Sequence, residues 1–295
     1  MASLYKQDCL EVISTLADQS IDVVLTDPPY FLHKLSSDNW NDEKPTTKSV
    51  VSNLPSGMKF DSRQAIQFGE FCEQWISLLL PKLKPGAFLI SFAGDRFYHR
   101  LVVAAENNNL EIRGMMIWYY GSGQPKAFHV ADGRFTPQLR PMFEPIMLAQ
   151  KPREGTFKQN WENYNIGTLD MNKCDDGLTP GNLLFYCAKP GKEERANNHH
   201  PTQKPVELMR HLVKVFSAEG SKIIDPFMGS GTSGVACVES GRAFLGIEKD
   251  PEYYQIAKDC IEFAEMTTQR HPMFSLSIHN VMSSRSTNHH QQCNS

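Results

Sequence analysis

The chain predicts an α/β fold with a mostly parallel sheet, and three observations predict it. Short apolar, β-branched runs alternate with amphipathic helical stretches from Ser3 to Tyr120 and again from Pro205 to Met266, the pattern of consecutive βαβ units. Two of the strands run into an acid followed by proline, at Asp27-Pro28-Pro29-Tyr30 and at Asp225-Pro226-Phe227. The second leads into Gly229, Gly231 and Gly234, spaced G-x-G-x-x-G ahead of a helix, a geometry that lets a ligand approach backbone at a helix N-terminus. With 295 residues, 40% of them hydrophobic, the chain is long enough for one large α/β domain with an insertion, or for two small domains.

Taken in order, Ser3 to Gln7 reads as a short strand and Asp8 to Ala17 as a helix with Leu10, Val12, Ile13 and Leu16 on one side. Asp8 stands where strand hands over to helix, which favours an N-cap over a ligand. Val23, Val24 and Leu25 suit a strand buried on both faces. Proline cannot donate to a sheet ladder and pushes the residue before it away from helical geometry, so Asp27 falls at the carboxyl end of that strand in a stiff, extended turn. Residues 32–64 are polar and without periodicity; a connection of that length is functional or mobile, and here it would lie over the strand end as a flap.

Ala65 to Leu83 reads as a helix broken by Lys84-Pro85-Gly86, followed by a buried strand from Ala87 to Ala93, a helix from Asp95 to Asn107 and a strand from Leu110 to Tyr120. From Gly121 to about His200 the pattern weakens, except that Phe143 to Gln150 reads as one more strand. Within 151–199 the aromatic residues Phe157, Trp161, Tyr164, Phe185 and Tyr186 stand among basic and amide side chains. Such a mixture suits a nucleic-acid surface. A small insertion needs a core of its own, however, and most of these rings read as that core. Order returns with a helix from Val206 to Ala218, a strand from Lys222 to Ile224, a helix from Thr232 to Ser240, a strand from Ala243 to Ile247 and an amphipathic helix from Pro251 to Met266, with proline in its first turn. Beyond Arg270 periodicity is lost, and 271–295 reads as a disordered tail.

Charge and cysteine usage bound the function. The formal charge of −3 argues against a generic polyanion binder, although residues 121–205 carry 11 basic against 9 acidic side chains and are the one net-positive third. The seven cysteines are scattered and include no C-x-x-C pair, so neither a disulfide framework nor a metal site is signalled. No apolar run approaches a bilayer span and the N-terminus lacks a secretory pattern, so a soluble, cytoplasmic protein without membrane attachment is expected.

The two strand ends carry the chemistry. A carboxylate, a proline-locked carbonyl and an aromatic ring presented together could accept protons from a planar amine and stack on its ring; beside that reading stands a surface turn with an incidental acid. The glycine loop is not a phosphate-binding P-loop, because no lysine follows Gly234. Glu248 ends the next strand, where nucleotide-binding α/β folds hold ribose hydroxyls. Asp225 would oppose a pyrophosphate but welcome a cation, such as a ligand bearing an ammonium and a sulfonium. S-adenosylmethionine is such a ligand.

With these motifs in view the chain resembles the DNA amino-methyltransferases that use S-adenosylmethionine. D-P-P-Y at 27–30 is similar to the family's catalytic motif, D-P-F-x-G-S-G-T at 225–232 to its cofactor loop, and His200-Pro-Thr-Gln-Lys-Pro205 to a further cofactor motif. Their order is that of the β group, which implies a circularly permuted, Rossmann-like methyltransferase fold with a mostly parallel seven-stranded sheet. The resemblance covers roughly 3–150 and 199–265. It implies a catalytic domain formed by 1–150 and 199–270, with 151–198 as a target-recognition insertion.

Carried over by residue, it implies that Asp27 and the Pro28 carbonyl, in the motif completed by Pro29, accept from the target amine while Tyr30 stacks on the base. It further implies that Asp225, Phe227, Gly229, Ser230, Gly231 and Thr232 line the cofactor site together with Asp27, that Glu248 holds the ribose, and that Asp8 meets the adenine amine of the cofactor, reversing its reading as a cap. Thr202 and Lys204 are implied near the cofactor's carboxylate. The substrate implied is adenine in DNA, methylated at N6 after base flipping, with no metal required and a prokaryotic or phage setting. An acidic D-P-P-Y favours adenine over cytosine-N4, whose enzymes more often carry serine in place of the acid. Members of the group are often dimers, so a homodimer is an expectation that comes from the resemblance alone. A nicotinamide-dependent oxidoreductase would need another βαβαβ half after the glycine loop, where only about 60 residues remain. A nucleic-acid-binding module with decayed chemistry would show a damaged motif, and both motifs are intact.

Overall fold

Asp22 shows how the central strand is fixed in place. Its buried carboxylate accepts from the backbone N–H of Lys222 at 2.7 Å and pairs with Lys84 at 2.6 Å, tying one strand to both its neighbours. The structure, a computed structural model, describes residues 2–30, 62–121, 134, 139, 142–171, 180–185 and 203–270. The strands are β1 (Ala2–Tyr5), β2 (Ile21–Thr26), β3 (Leu83–Phe92), β4 (Glu111–Tyr119), β5 (Phe143–Gln150), β6 (Leu183–Phe185), β7 (Lys222–Asp225) and β8 (Ala243–Ile247). They form one sheet in the order β1-β8-β7-β2-β3-β5-β4-β6. All neighbours are parallel except β5, which runs antiparallel to both β3 and β4.

Seven of these strands are those expected from the sequence. The eighth, β6, falls within the stretch read as an insertion and joins the sheet edge beside β4. The pairing that matters most is that of β2 with β7, with Val23 opposite Ile223 and Val24 opposite Ile224. It brings the two acid-proline strand ends side by side from opposite ends of the chain.

Helices cover both faces. On one lie α1 (Cys9–Thr15), α2 (Ser62–Leu79) and α3 (Tyr98–Asn107), with Phe68, Trp75 and Leu101 packed against Val24 and Leu89; on the other lie α5 (Val206–Phe216), α6 (Thr232–Glu239) and α7 (Pro251–Arg270), with Leu212, Val213 and Ile261 packed with Val23 and Leu25. Successive β2 residues thus serve opposite layers. That is why the strand reads as an unbroken apolar run.

One boundary differs from the sequence reading. Lys84-Pro85-Gly86 does not separate helix from strand; the helix closes in a short 3₁₀ turn at Leu80–Lys82 and the strand starts at Leu83, with the proline inside it. The register explains the tolerance: Ile21 faces Leu83 but Val23 faces Phe88, so Pro85, which has no N–H to give, sits in an irregularity of the ladder. Gly86 has φ +81°, and a Cβ there would lie 2.4 Å from Nδ2 of Asn160. Asn160 belongs to α4 (Phe157–Tyr164), which opens with a Thr156–Gln159 capping box. The buried Asn160 amide donates to the Pro85 and Ile166 carbonyls, and Gln150 donates to the Gly86 and Gly167 carbonyls. These bonds hold α4 at the start of β3, the sheet end away from Asp27.

Candidate active site

Four neighbouring parallel strands, β1, β8, β7 and β2, point their carboxyl ends the same way, and each is completed by an acid: Asp8, Glu248, Asp225 and Asp27. A row of four carboxylates is a poor seat for a pyrophosphate. It suits a ligand that presents a cation, hydroxyls and an amine.

Each acid is held differently. Asp225 is buried, and its carboxylate accepts from the Thr26 hydroxyl at 2.7 Å, from the Ser233 hydroxyl at 2.5 Å and from the Phe227 N–H at 3.1 Å. Burial pushes its pKa up to about 6, against the pull of those three hydrogen bonds. Thr26 ends β2 and Ser233 lies in the first turn of α6, so this one carboxylate joins two strands and a helix. The loop that follows turns through Gly229 and Gly231, at φ +49° and +81°. A Cβ on Gly231 would stand 2.8 Å from the Ala257 Cα, so only glycine lets α6 start this close to α7. Gly234, one turn on, is pressed between Ile261 and Phe244. Phe227 packs on Phe71 and Trp75, and Ser230 and Thr232 share a buried hydroxyl contact at 3.1 Å.

Glu248 takes the Gly229 N–H at 3.0 Å on one oxygen and the Asp250 N–H at 2.8 Å on the other, and burial raises its pKa against those bonds. One N–H per oxygen leaves lone pairs for a ligand's hydroxyls. Asp8 is the N-cap of α1, accepting from the Leu10 N–H at 3.0 Å, while its second oxygen meets Lys249 at 3.1 Å. The cap expected from position alone is therefore present, with a carboxylate still facing the β8 end. The residues present fit S-adenosylmethionine by donor chemistry. Acceptors for hydroxyls and an amine line β1 and β8, and carboxylates suited to a sulfonium line β7 and β2.

Asp27 is held by one near and one distant partner. Tyr30 donates its hydroxyl to one carboxylate oxygen, and Lys204 pairs with the other at 2.5 Å. Glu144, from β5, accepts from Lys204 at 3.0 Å and lies 2.9 Å from the Tyr30 hydroxyl. Lys204 is 7% exposed, with its ammonium 4.7 Å from the Phe92 ring centre. Burial opposes its charge, but Asp27 and Glu144 outweigh that and raise its pKa. Burial raises the Tyr30 hydroxyl too, reinforced by Asp27 and Glu144. The Tyr30 ring is half-buried, edge-on to Phe68 at 6.1 Å. Pro28 is buried and Pro29 half-buried.

The sequence readings meet this geometry unevenly. Asp8, Asp27, Pro28, Pro29, Tyr30, Asp225, Phe227, Gly229, Ser230, Gly231, Thr232 and Glu248 line one sheet edge or the loops above it. Lys204, implied near the cofactor's carboxylate, has its ammonium on Asp27 and Glu144. Glu144 was missed: it belongs to no motif, and only its place as an acid within the apolar run of β5 hinted at it. Thr202, the 32–64 flap and the tail lie outside the described residues apart from the first turn of α2. Among the described residues no group of three or more His, Cys, Asp and Glu side chains could hold a metal, and no helix is long and apolar enough to cross a membrane.

Comparison with known proteins gives a consistent picture. The profile of the family described as DNA methylase matches residues 21–259. The type II methyltransferase M.HindIII of Haemophilus influenzae is 27% identical over 294 residues, covering 86% of this chain and 93% of its own. The type II methyltransferase M2.DpnII of Streptococcus pneumoniae is 28% identical, covering 88% and 89%. Among solved structures, M1.HpyAVI bound to S-adenosylmethionine superposes with a TM-score of 0.59 at 23% identity, over 88% of this chain and 99% of its own. The PvuII DNA methyltransferase, named as cytosine-N4-specific, superposes with a TM-score of 0.64 at 17% identity, over 88% and 86%. These superpositions establish the fold.

Proposed function

This chain belongs to the DNA methylase family, and we propose that within it the chain methylates the exocyclic N6 amine of adenine in DNA, with S-adenosylmethionine as donor and with the target base flipped out of the duplex. The observation that carries the reading is the acid of an intact D-P-P-Y standing at the end of β2 beside the carboxylates of β7, β8 and β1. An aniline-like amine is a poor nucleophile because its lone pair is delocalised into the ring. Asp27 and the Pro28 carbonyl would each accept a hydrogen bond from one of its N–H groups, leaving the lone pair aimed across the row of acids. That is positioning and electrostatic stabilisation of a developing ammonium, and it requires no strong base beforehand. S-adenosylmethionine supplies the electrophilic methyl group.

The Tyr30 ring would replace stacking lost when the base leaves the helix. Glu248 would hold ribose hydroxyls, Asp8 the cofactor's adenine amine, and the Asp225–Thr232 loop the methionine end. Residues 1–150 and 199–270 form the catalytic part in this reading, and recognition of the DNA sequence falls to 151–198. The type II names of its relatives support a place in restriction and modification.

Cytosine-N4 is the second reading, favoured by the fold shared with PvuII methyltransferase. One experiment separates them. The protein is incubated with tritiated S-adenosylmethionine and duplex DNA, and the DNA is digested to nucleosides. Label in N6-methyladenosine is expected; label in methylcytidine alone would move the assignment to cytosine.

A further inference from the structure

The Tyr30 oxygen lies within hydrogen-bonding reach of two carboxylates, Asp27 and Glu144. A phenol carries a single proton, so it serves one ionised acid at a time. Lys204, with three N–H groups, serves both. Both oxygens of Asp27 are therefore engaged by side chains before any target amine arrives. An amine that binds Asp27 competes with these two donors for it, and in a buried site a donor that gives way without a new acceptor is costly. Glu144 is the acceptor already within reach. It also supplies the second negative charge around Lys204; among the described residues, the ammonium would otherwise have Asp27 as its sole carboxylate partner.

We infer that Glu144 is a positioning residue for the transfer: it takes over the Tyr30 hydroxyl and keeps its hold on Lys204 when the target amine bonds to Asp27. The inference rests on the methyl-transfer reading above. It deepens that reading by naming what releases the acceptor acid. Asp27 contacts the amine, while Glu144 acts through Tyr30 and Lys204.

Glu144→Gln keeps the shape and removes the charge, leaving the Tyr30 hydroxyl only a neutral amide oxygen, a weaker acceptor than a carboxylate. In the labelling assay with saturating cofactor, its kcat is expected to fall at least tenfold, while KM for DNA and cofactor affinity by calorimetry stay within threefold of the parent. Adding Tyr30→Phe, which keeps the ring and removes the hydroxyl that needs rehousing, is expected to restore kcat at least fivefold relative to Glu144→Gln. A merely structural glutamate would show no such rescue. A kcat within twofold of the parent, or a second loss when Tyr30→Phe is added, overturns the inference while leaving methyl transfer by the unaltered protein intact. No label from the unaltered protein overturns both readings. If Glu144→Gln lacks a cooperative melt, Glu144→Asp, which keeps the charge but withdraws the acceptor by one methylene, is judged by the same limits.

Discussion

The two halves of the site are built from the same kind of group and held in opposite ways. At the β7–β8 end, Asp225 and Glu248 are satisfied by neutral donors close to them in sequence or fixed in strands and helix starts: Thr26, Ser233 and the N–H groups of Phe227, Gly229 and Asp250. At the β2 end, Asp27 is satisfied by a phenol and an ammonium that both have an alternative acceptor in Glu144. The first arrangement is rigid, because every donor has a single acid to serve. The second is exchangeable. A cofactor site profits from fixed acceptors, whereas a site that admits and releases a base needs an acid whose partners can let go.

Four experiments press on this contrast, beginning with the largest effect. Asp27→Ala removes the acceptor acid and is expected to lower kcat about 1000-fold, in the range of losing a well-placed electrostatic group; a residual tenth of parental activity would mean that the acid does not position the amine. Cofactor affinity should change far less than kcat, since the other three acids remain. Gly231→Ala attacks the rigid half: a left-handed backbone and a Cβ 2.8 Å from Ala257 predict a loss of roughly 2–4 kcal/mol by urea denaturation. A loss below about 0.5 kcal/mol would show the loop to be softer than its packing suggests.

Asp225 tests the same half through pH. Its pKa is raised on folding from 3.8 to about 6 by burial, so the folded state binds this proton more tightly than the unfolded one. The associated stability is complete below the lower value and is lost as pH rises through the upper. The difference, on the order of 2–3 kcal/mol, should vanish in Asp225→Asn. Melting curves of the two proteins between pH 4 and pH 7 measure it, and parallel pH dependences would contradict the burial argument. Lys249→Ala should matter least. The lysine is 70% exposed where it meets Asp8, and such pairs contribute about 0–1 kcal/mol, so a stability change beyond that range would mean that Asp8 depends on its charge partner.

The same contrast governs what the sequence made legible. Periodicity located the strands because β2 is buried on both faces and β8 nearly so, and the expected bounds of the latter, Ala243 to Ile247, are those found. Much of the rigid half could be read because Asp225, the Phe227 and Gly229 N–H groups and the Ser233 hydroxyl lie within one contiguous motif, with Thr26 and the Asp250 N–H outside it. In the exchangeable half Asp27 and Tyr30 stand in D-P-P-Y and Lys204 in a second motif, but the partnership that joins them to Glu144 could not be read, because it is distributed: Glu144 stands 114 residues from Tyr30, and Lys204 stands 177 from Asp27. No local pattern marks a residue whose role arises only when β5 lines up beside β3. Lys84-Pro85-Gly86 misled in the other direction. Proline and glycine normally punctuate, but here a ladder irregularity and the Asn160 side chain absorb both.

The pairing of β2 with β7 also bears on how the protein is made. Asp22 waits for the backbone of Lys222, 200 residues downstream, before its strand is closed on both sides. At a synthesis rate of roughly 5–20 residues per second, the apolar strand that ends at the acceptor acid spends on the order of ten to forty seconds with one bare edge on the ribosome. A nascent chain in that condition is an aggregation hazard and a natural client for chaperones. Fragments released before Lys222 should accumulate as insoluble material, whereas supplying residues 203–270 as a separate polypeptide should rescue them.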